Sequence, residues 1–165
     1  RMFEEMGGFE SSFFLYCEDT DLALRGHWAG WRCLYVPEAV VEHRYSASAG
    51  AVSPLKAYLV ERNRLRMIVR CLPWLWILRA PFASAVRYLY HVRFMFGGRS
   101  KAAAFTKGNP AWLLAWLVLK AHLALLRDLP RLLRQRWRIP RRLTARVFKK
   151  RASAWRIGLR EVASQ

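Results

Sequence analysis

The stretch Phe14–Arg25, FLYCEDTDLALR, constrains this chain more than any other. An aromatic and apolar lead-in (Phe13, Phe14, Leu15, Tyr16) runs into Glu18-Asp19-x-Asp21, and a helical pattern (Leu22, Leu24, Arg25, Trp28) follows at once. Three carboxylates within four residues repel one another. A fold keeps them where a helix N-terminus, a cation or chemistry requires them. The spacing predicts a helix from Glu18 to Ala29, with Asp21 and Arg25 four apart and able to pair, and with Gly30 at the C-terminal stop.

Charge divides the chain. Residues 1–50 hold eight of the eleven acids and four Lys or Arg, whereas the other 115 residues hold 25 Lys or Arg and three acids. Eight Trp and 54% hydrophobic content exclude a disordered basic tail. Arginine and tryptophan together point to an anionic membrane interface, with nucleic acid as the other anionic partner. Cys17, Cys33 and Cys71 are too few and too scattered for a disulfide framework or a CxxC metal site, which suits a reducing cytosolic setting. The chain opens on Arg1-Met2-Phe3, with no initiator Met or signal peptide, and is expected to be part of a longer protein.

Along the chain, Arg1–Met6 reads as a helix end broken by Gly7-Gly8, either a plain turn or a close backbone approach to a ligand. Trp31–Val36 is a strand by composition, Pro37 ends it, and Ala39–His43 resumes as an extended segment. Ser46–Ser53 reads as a loop and Pro54 to Leu72 as a helix with basic and apolar faces. Trp74–Phe96 is aromatic and aliphatic but interrupted by charge and Pro81; Gly97–Asn109 reads as a polar linker. Pro110–Leu126 is the most apolar run. It is short of the ~20 residues a span needs and contains Lys120 and His122. An in-plane or re-entrant helix, a short span and a core helix all remain open for it. Arg127–Arg160 carries 13 basic residues and one acid, and Pro130 and Pro140 are expected to break it into short basic amphipathic helices.

The acids have three readings. Glu18, Asp19 and Asp21 can compensate the helix dipole, can join a hard divalent cation with the distant His43, or can supply a general base for an attacking hydroxyl.

The run Gly7-Gly8-Phe9-Glu10-x-x-Phe13-Phe14-x-Tyr16-x-Glu18-Asp19-x-Asp21-Leu22-x-x-Arg25-x-x-x-x-Gly30 resembles the C-terminal catalytic block of inverting family 2 glycosyltransferases, in the texture of their rhamnosyltransferase-like members. Tyr35-Val36-Pro37-Glu38-Ala39-Val40-Val41-x-His43 and Tyr58-x-x-x-Arg62-Asn63-Arg64-Leu65 continue the resemblance. It covers residues 1–70 and implies an α/β fold there, the acceptor-side part of a GT-A domain; the basic, aromatic-rich sequence of residues 71–165 reads as an α-helical membrane-associating tail. The resemblance implies Asp19 as catalytic base, with Glu18 and Asp21 shaping the site. Gly7, Gly8 and Phe9 would lie near the acceptor, with Arg25 and Arg62 as further substrate-binding candidates. His43 would complete a divalent metal site (Mg2+ or Mn2+) whose other ligands lie mostly outside this chain; a strand-end histidine bonded to backbone is its other reading. The implied partners are a nucleotide-sugar donor, a polyprenyl-linked or glycan acceptor and an anionic membrane surface at the cytoplasmic face, with no nucleic acid. The family's Asp-x-Asp metal motif is missing, since Asp19-Thr20-Asp21 belongs to the other motif. The nucleotide-binding half is therefore expected before residue 1, and the isolated chain is expected not to turn over. The competing reading is a non-enzymatic basic module that binds nucleic acid or anionic membrane.

Overall fold

The computed structural model describes residues 1–42, 50, 52–96, 101–154 and 158. The described residues form helices α1 (Met2–Glu5), α2 (Glu18–Trp28), α3 (Pro54–Cys71), α4 (Trp74–Phe96), α5 (Lys101–Gly108), α6 (Ala111–Arg138) and α7 (Ala145–Ser153), with one 3-10 turn at Ser11–Phe13.

The expected α/β fragment is not what forms: among the described residues there is no strand. Residues 31–42 are irregular and mostly exposed, with Tyr35 89% and Val40 83% accessible. The physical reason is pairing. β-branched and aromatic side chains favour a strand only where a neighbouring strand and a half-buried face receive them, and no described segment lies alongside to do so. The run turns instead through Pro37 and Glu38, where the Ala39 N–H donates to the Val36 carbonyl at 3.1 Å.

The helices obey local rules more closely. The α2 helix starts at Glu18 and stops at Trp28, and Gly30 adopts φ +96° just beyond it. Ser53 caps α3, its hydroxyl accepting from the Lys56 N–H at 3.1 Å, and Pro54 occupies the first turn. Two expectations needed correction. Part of the presumed polar linker is α5, and α6 runs straight through Pro130. Pro130 sits on the exposed side of α6, while Asp128 and Leu132 on the inner side stay docked. The lost hydrogen bond therefore falls where water can replace it.

The α3 helix is the centre. Its partners on α6 climb in step (Tyr58 with Lys120, Arg66 with Asp128, Arg70 with Gln135), so the two run parallel. Its partners on α4 descend (Glu61 with Arg87, Arg64 with Ser84), so that pair is antiparallel. At the C-terminal end of α3, a core of Trp28, Cys71, Ile139 and Phe148 joins α2, α3 and α7. Trp28 stacks on Phe148 at 4.1 Å between centroids and donates its indole N–H to the Cys71 carbonyl at 2.6 Å. The basic C-terminal region thus closes the core that the acidic N-terminal region begins.

Glu61 is the electrostatic hub of α3. Arg64 donates to its Oε1 at 2.6 Å, and Arg87 and Tyr88 also donate to its carboxylate. Burial alone would raise its pKa from 4.5, but the hydrogen bonds and charges of Arg64 and Arg87 outweigh it and hold it at about 2. A carboxyl depressed in the folded state contributes stability that is complete above its unfolded value and is lost as pH falls through its folded value. Between about pH 4.5 and 2 the protein is therefore expected to lose on the order of 2–3 kcal/mol from this group. Glu61→Gln should lower stability near neutral pH and flatten its fall across that window, as urea titrations at a series of pH values would read.

Candidate active site

The acids sit at the end of an unusual loop. Phe14, Tyr16 and Cys17 have φ of 64°, 68° and 65°. Positive φ costs a non-glycine residue roughly 1–3 kcal/mol and persists only where surroundings impose it. Here α3 imposes it. The Asn63 side-chain amide, fully buried, donates to the carbonyls of Phe13, Leu15 and Tyr16 at 2.7–2.9 Å. Arg62 donates to the Phe13 carbonyl at 3.0 Å and Arg66 to that of Ser12 at 2.7 Å. Replacing Asn63 by leucine takes the side-chain donor from the Leu15 and Tyr16 carbonyls, while Phe13 keeps Arg62, and is expected to cost about 1–3 kcal/mol, with the loss read as a lower urea midpoint. A wild-type midpoint would show that the loop holds its shape without α3.

The three carboxylates have different surroundings. Asp21 is fully buried. Arg25 Nε donates to its Oδ2 at 2.7 Å, Arg70 Nε lies 3.1 Å from its Oδ1, and the Cys71 thiol donates to Oδ1 at 3.2 Å. The four-residue spacing to Arg25 is therefore a real pair, while Arg70 and Cys71 arrive from α3. Glu18 is half-buried, and its Oε2 is buried without a hydrogen-bond partner among the described residues. Asp19 is exposed; its Oδ1 accepts from the Thr20 N–H at 2.6 Å and the Thr20 hydroxyl at 3.2 Å. Burial and the charges of Asp19 and Glu18 push the thiol of Cys17, just before them, up to about 11.

The other expected site residues are positioned as follows. Arg25 is buried and donates to the carbonyls of Met6 and Gly8, so it holds the glycine turn. Gly7 and Gly8 have φ of 72° and 70°, and a Cβ on Gly8 would meet the Phe3 ring at 3.2 Å. Phe9 is exposed, edge-on to Phe3. Arg62 is bonded to the Phe13 carbonyl and to the Asn63 side chain. His43 lies outside the described residues. Among the described residues no three His, Cys, Asp or Glu side chains converge where a metal ion could sit. The described residues do not form a metal centre by themselves.

Two hollows adjoin these elements. The smaller, about 360 Å³, is polar, and Gly7, Glu10, Arg25, Arg70 and Gln135 line it. The larger, about 520 Å³, lies between α3, α4, α5 and α6. Asp19 lines neither. The sequence reading missed Asn63 as the loop clamp and Glu61 as the hub. Glu61 did carry a signal: it is the single acid between residues 43 and 127, set among four arginines of one helix.

No family model and no solved structure matches the chain. Over 48 residues, 29% of its length, it is 46% identical to an N-acetylglucosaminyl-diphospho-decaprenol L-rhamnosyltransferase found in two strains of Mycobacterium tuberculosis. The matched stretch spans 16% of that protein's length. Over this short stretch the chain is related to a glycosyltransferase.

Proposed function

We propose that this chain contributes the acceptor-side residues of a glycosyltransferase of cell-surface polysaccharide synthesis, with Asp19 as general base. The reading rests on one arrangement: an exposed Asp19 carboxylate in the first turn of α2, at the end of a strained loop clamped by Asn63. Glu18 orients the acceptor alcohol, and Asp19 takes its proton as the oxygen attacks the anomeric carbon of a nucleotide-activated sugar. A C–O bond forms there while the bond to the nucleoside diphosphate breaks, with inversion. Asp21, neutralised by Arg25 and Arg70, fixes the start of α2. Arg25 and Arg62 serve as positioning residues, holding the backbone of residues 6–8 and 13. The similarity to a rhamnosyltransferase whose name includes a diphospho-decaprenol supports a nucleotide-sugar donor and a polyprenyl-linked acceptor. The test is transfer by the natural full-length gene product and its Asp19→Asn variant; unchanged transfer by the variant removes the base.

A membrane surface is the second proposed partner, at the cytoplasmic face. No single helix among the described residues is long and apolar enough to cross a bilayer; the bent pair Ala102–Gly108 and Ala111–Arg138 passes by length and composition together. The supporting observation is the outer face of α6. Trp112, Trp116, Leu119, Leu123 and Leu126 are exposed at alternating spacings of four and three, and exposed Arg127, Arg131, Arg134 and Arg138 continue from them. Such a face buries apolar area and gains roughly 1 kcal/mol per basic residue at an anionic surface. Co-sedimentation with anionic liposomes is expected, weakening with salt. Retention on RNA that liposomes do not displace would favour the nucleic-acid module instead.

A further inference from the structure

The outward face of α4 carries an uninterrupted apolar stripe. Leu75, Leu78, Phe82, Ala85, Leu89 and Val92 follow one another at spacings of three and four. All six are exposed, Leu78 at 76% and Phe82 at 77%. The opposite face of the same helix, with Ser84, Arg87 and Tyr88, is the one turned to α3. A repeat of three and four averages 3.5 residues, the period of a helix that packs lengthwise on a second helix with knobs in holes. No charge interrupts the stripe; Arg79 and Arg93 flank it along one edge. The α6 face differs, because it runs on into exposed Arg127, Arg131, Arg134 and Arg138.

The order of sizes along the stripe names the second helix. Antiparallel packing of α4 on the α4 of another copy sets Phe82 against Ala85, Leu78 against Leu89 and Leu75 against Val92. A single two-fold axis level with Ala83 and Ser84 generates all three pairings, so the face is complementary to itself. The largest side chain meets the smallest, and every layer is filled. Parallel packing would set Phe82 on Phe82 and leave Ala85 over Ala85, a clash beside a void. Charge agrees with the antiparallel register. Arg79 then lies opposite Val86 and Arg93 opposite Leu72, so the flanking arginines do not face each other. The stripe exposes roughly 600 Å² of apolar surface, more than scattered surface residues account for. Two such faces meeting bury about 1,200 Å², the lower edge of the range for a specific interface.

We propose that the chain forms a two-fold dimer through antiparallel packing of α4 on the α4 of a second copy. The dimer is independent of the glycosyl-transfer reading. It leaves the outer face of α6 and the loop carrying Asp19 outside the interface residues.

The test is sedimentation equilibrium of the chain from about 1 to 100 µM at low and high salt. A monomer–dimer equilibrium is expected. Copies of charge +18 repel, so the dimer should tighten as salt rises, the opposite of binding to an anionic membrane or nucleic acid. Phe82→Arg changes an exposed residue and is expected to weaken the dimer about tenfold or more with helical content intact. A monomeric wild-type chain overturns the proposal, as does a folded Phe82→Arg chain that dimerises like the wild type. Should Phe82→Arg fail to fold, crosslinking decides. Leu78→Cys and Leu89→Cys chains, each with Cys17 and Cys33 replaced by serine, are mixed and oxidised. Disulfides joining position 78 of one copy to position 89 of the other support the antiparallel register; disulfides joining 78 to 78 overturn it. Liposome binding is the remaining control. It should survive Phe82→Arg, and its loss with self-association unchanged would assign the stripe to the membrane and overturn the dimer.

Discussion

Asp21→Ala is expected to cost about 3–5 kcal/mol of stability, a large share of what a domain of this size has to lose. The carboxylate is fully buried and answers two buried guanidiniums, Arg25 and Arg70, and the Cys71 thiol. Removing it leaves those cations desolvated, and that penalty is paid on top of the lost hydrogen bonds. Arg70 keeps Glu10 at 2.7 Å as a second partner, whereas Arg25 keeps, among the described residues, the carbonyls of Met6 and Gly8. The glycine turn should therefore loosen first. Asp21→Asn retains shape and an acceptor oxygen, so its cost should be smaller. Urea unfolding of the two variants measures this; an alanine variant within about 1 kcal/mol of wild type would show that the buried network does not anchor α2.

Asp19→Asn should have the opposite profile. Asp19 is exposed, and among the described residues its hydrogen bonds go to the adjacent Thr20. The substitution should change stability by less than about 0.5 kcal/mol. In the natural full-length gene product, losing a general base should lower transfer by about a hundred- to ten-thousand-fold. The contrast between the neighbours is the informative part: Asp21 variants should fail by unfolding, and Asp19 variants should fail in the chemistry while folded. If Asp19→Asn and Glu18→Gln both transfer normally, these acids only compensate the dipole of α2. Cys17, at the α2 N-cap, provides no side-chain cap, so that dipole role is open to them.

The extents of α2 and α3 were legible because local signals agree there. Helical spacing, the Gly30 stop, the Asp21–Arg25 spacing and the Ser53-Pro54 start all act within a turn or two of backbone. Residues 31–42 misled for the converse reason. Strand propensity describes how a side chain suits a paired, half-buried surface, and the existence of a partner strand is not a local property. Pro130 misled likewise, since its cost depends on which side of α6 it occupies. Within the candidate site, the acidic cluster and its place at a helix start could be read directly. That Asp21 is buried, Glu18 half-buried and Asp19 exposed could not.

The sequence by itself determined the helix limits of α2 and α3, the acidic cluster, the Asp21–Arg25 pair and the division between an acidic beginning and a basic remainder. All of these follow from interactions between residues a few positions apart. Only the tertiary structure decided that Asn63 clamps the Phe13–Tyr16 backbone, that Arg70 and Cys71 close on Asp21, and that α6 lies parallel to α3 and helps enclose a cavity. Those contacts join positions some fifty to sixty-five residues apart, and their energy comes from burial, which no local pattern of residues specifies.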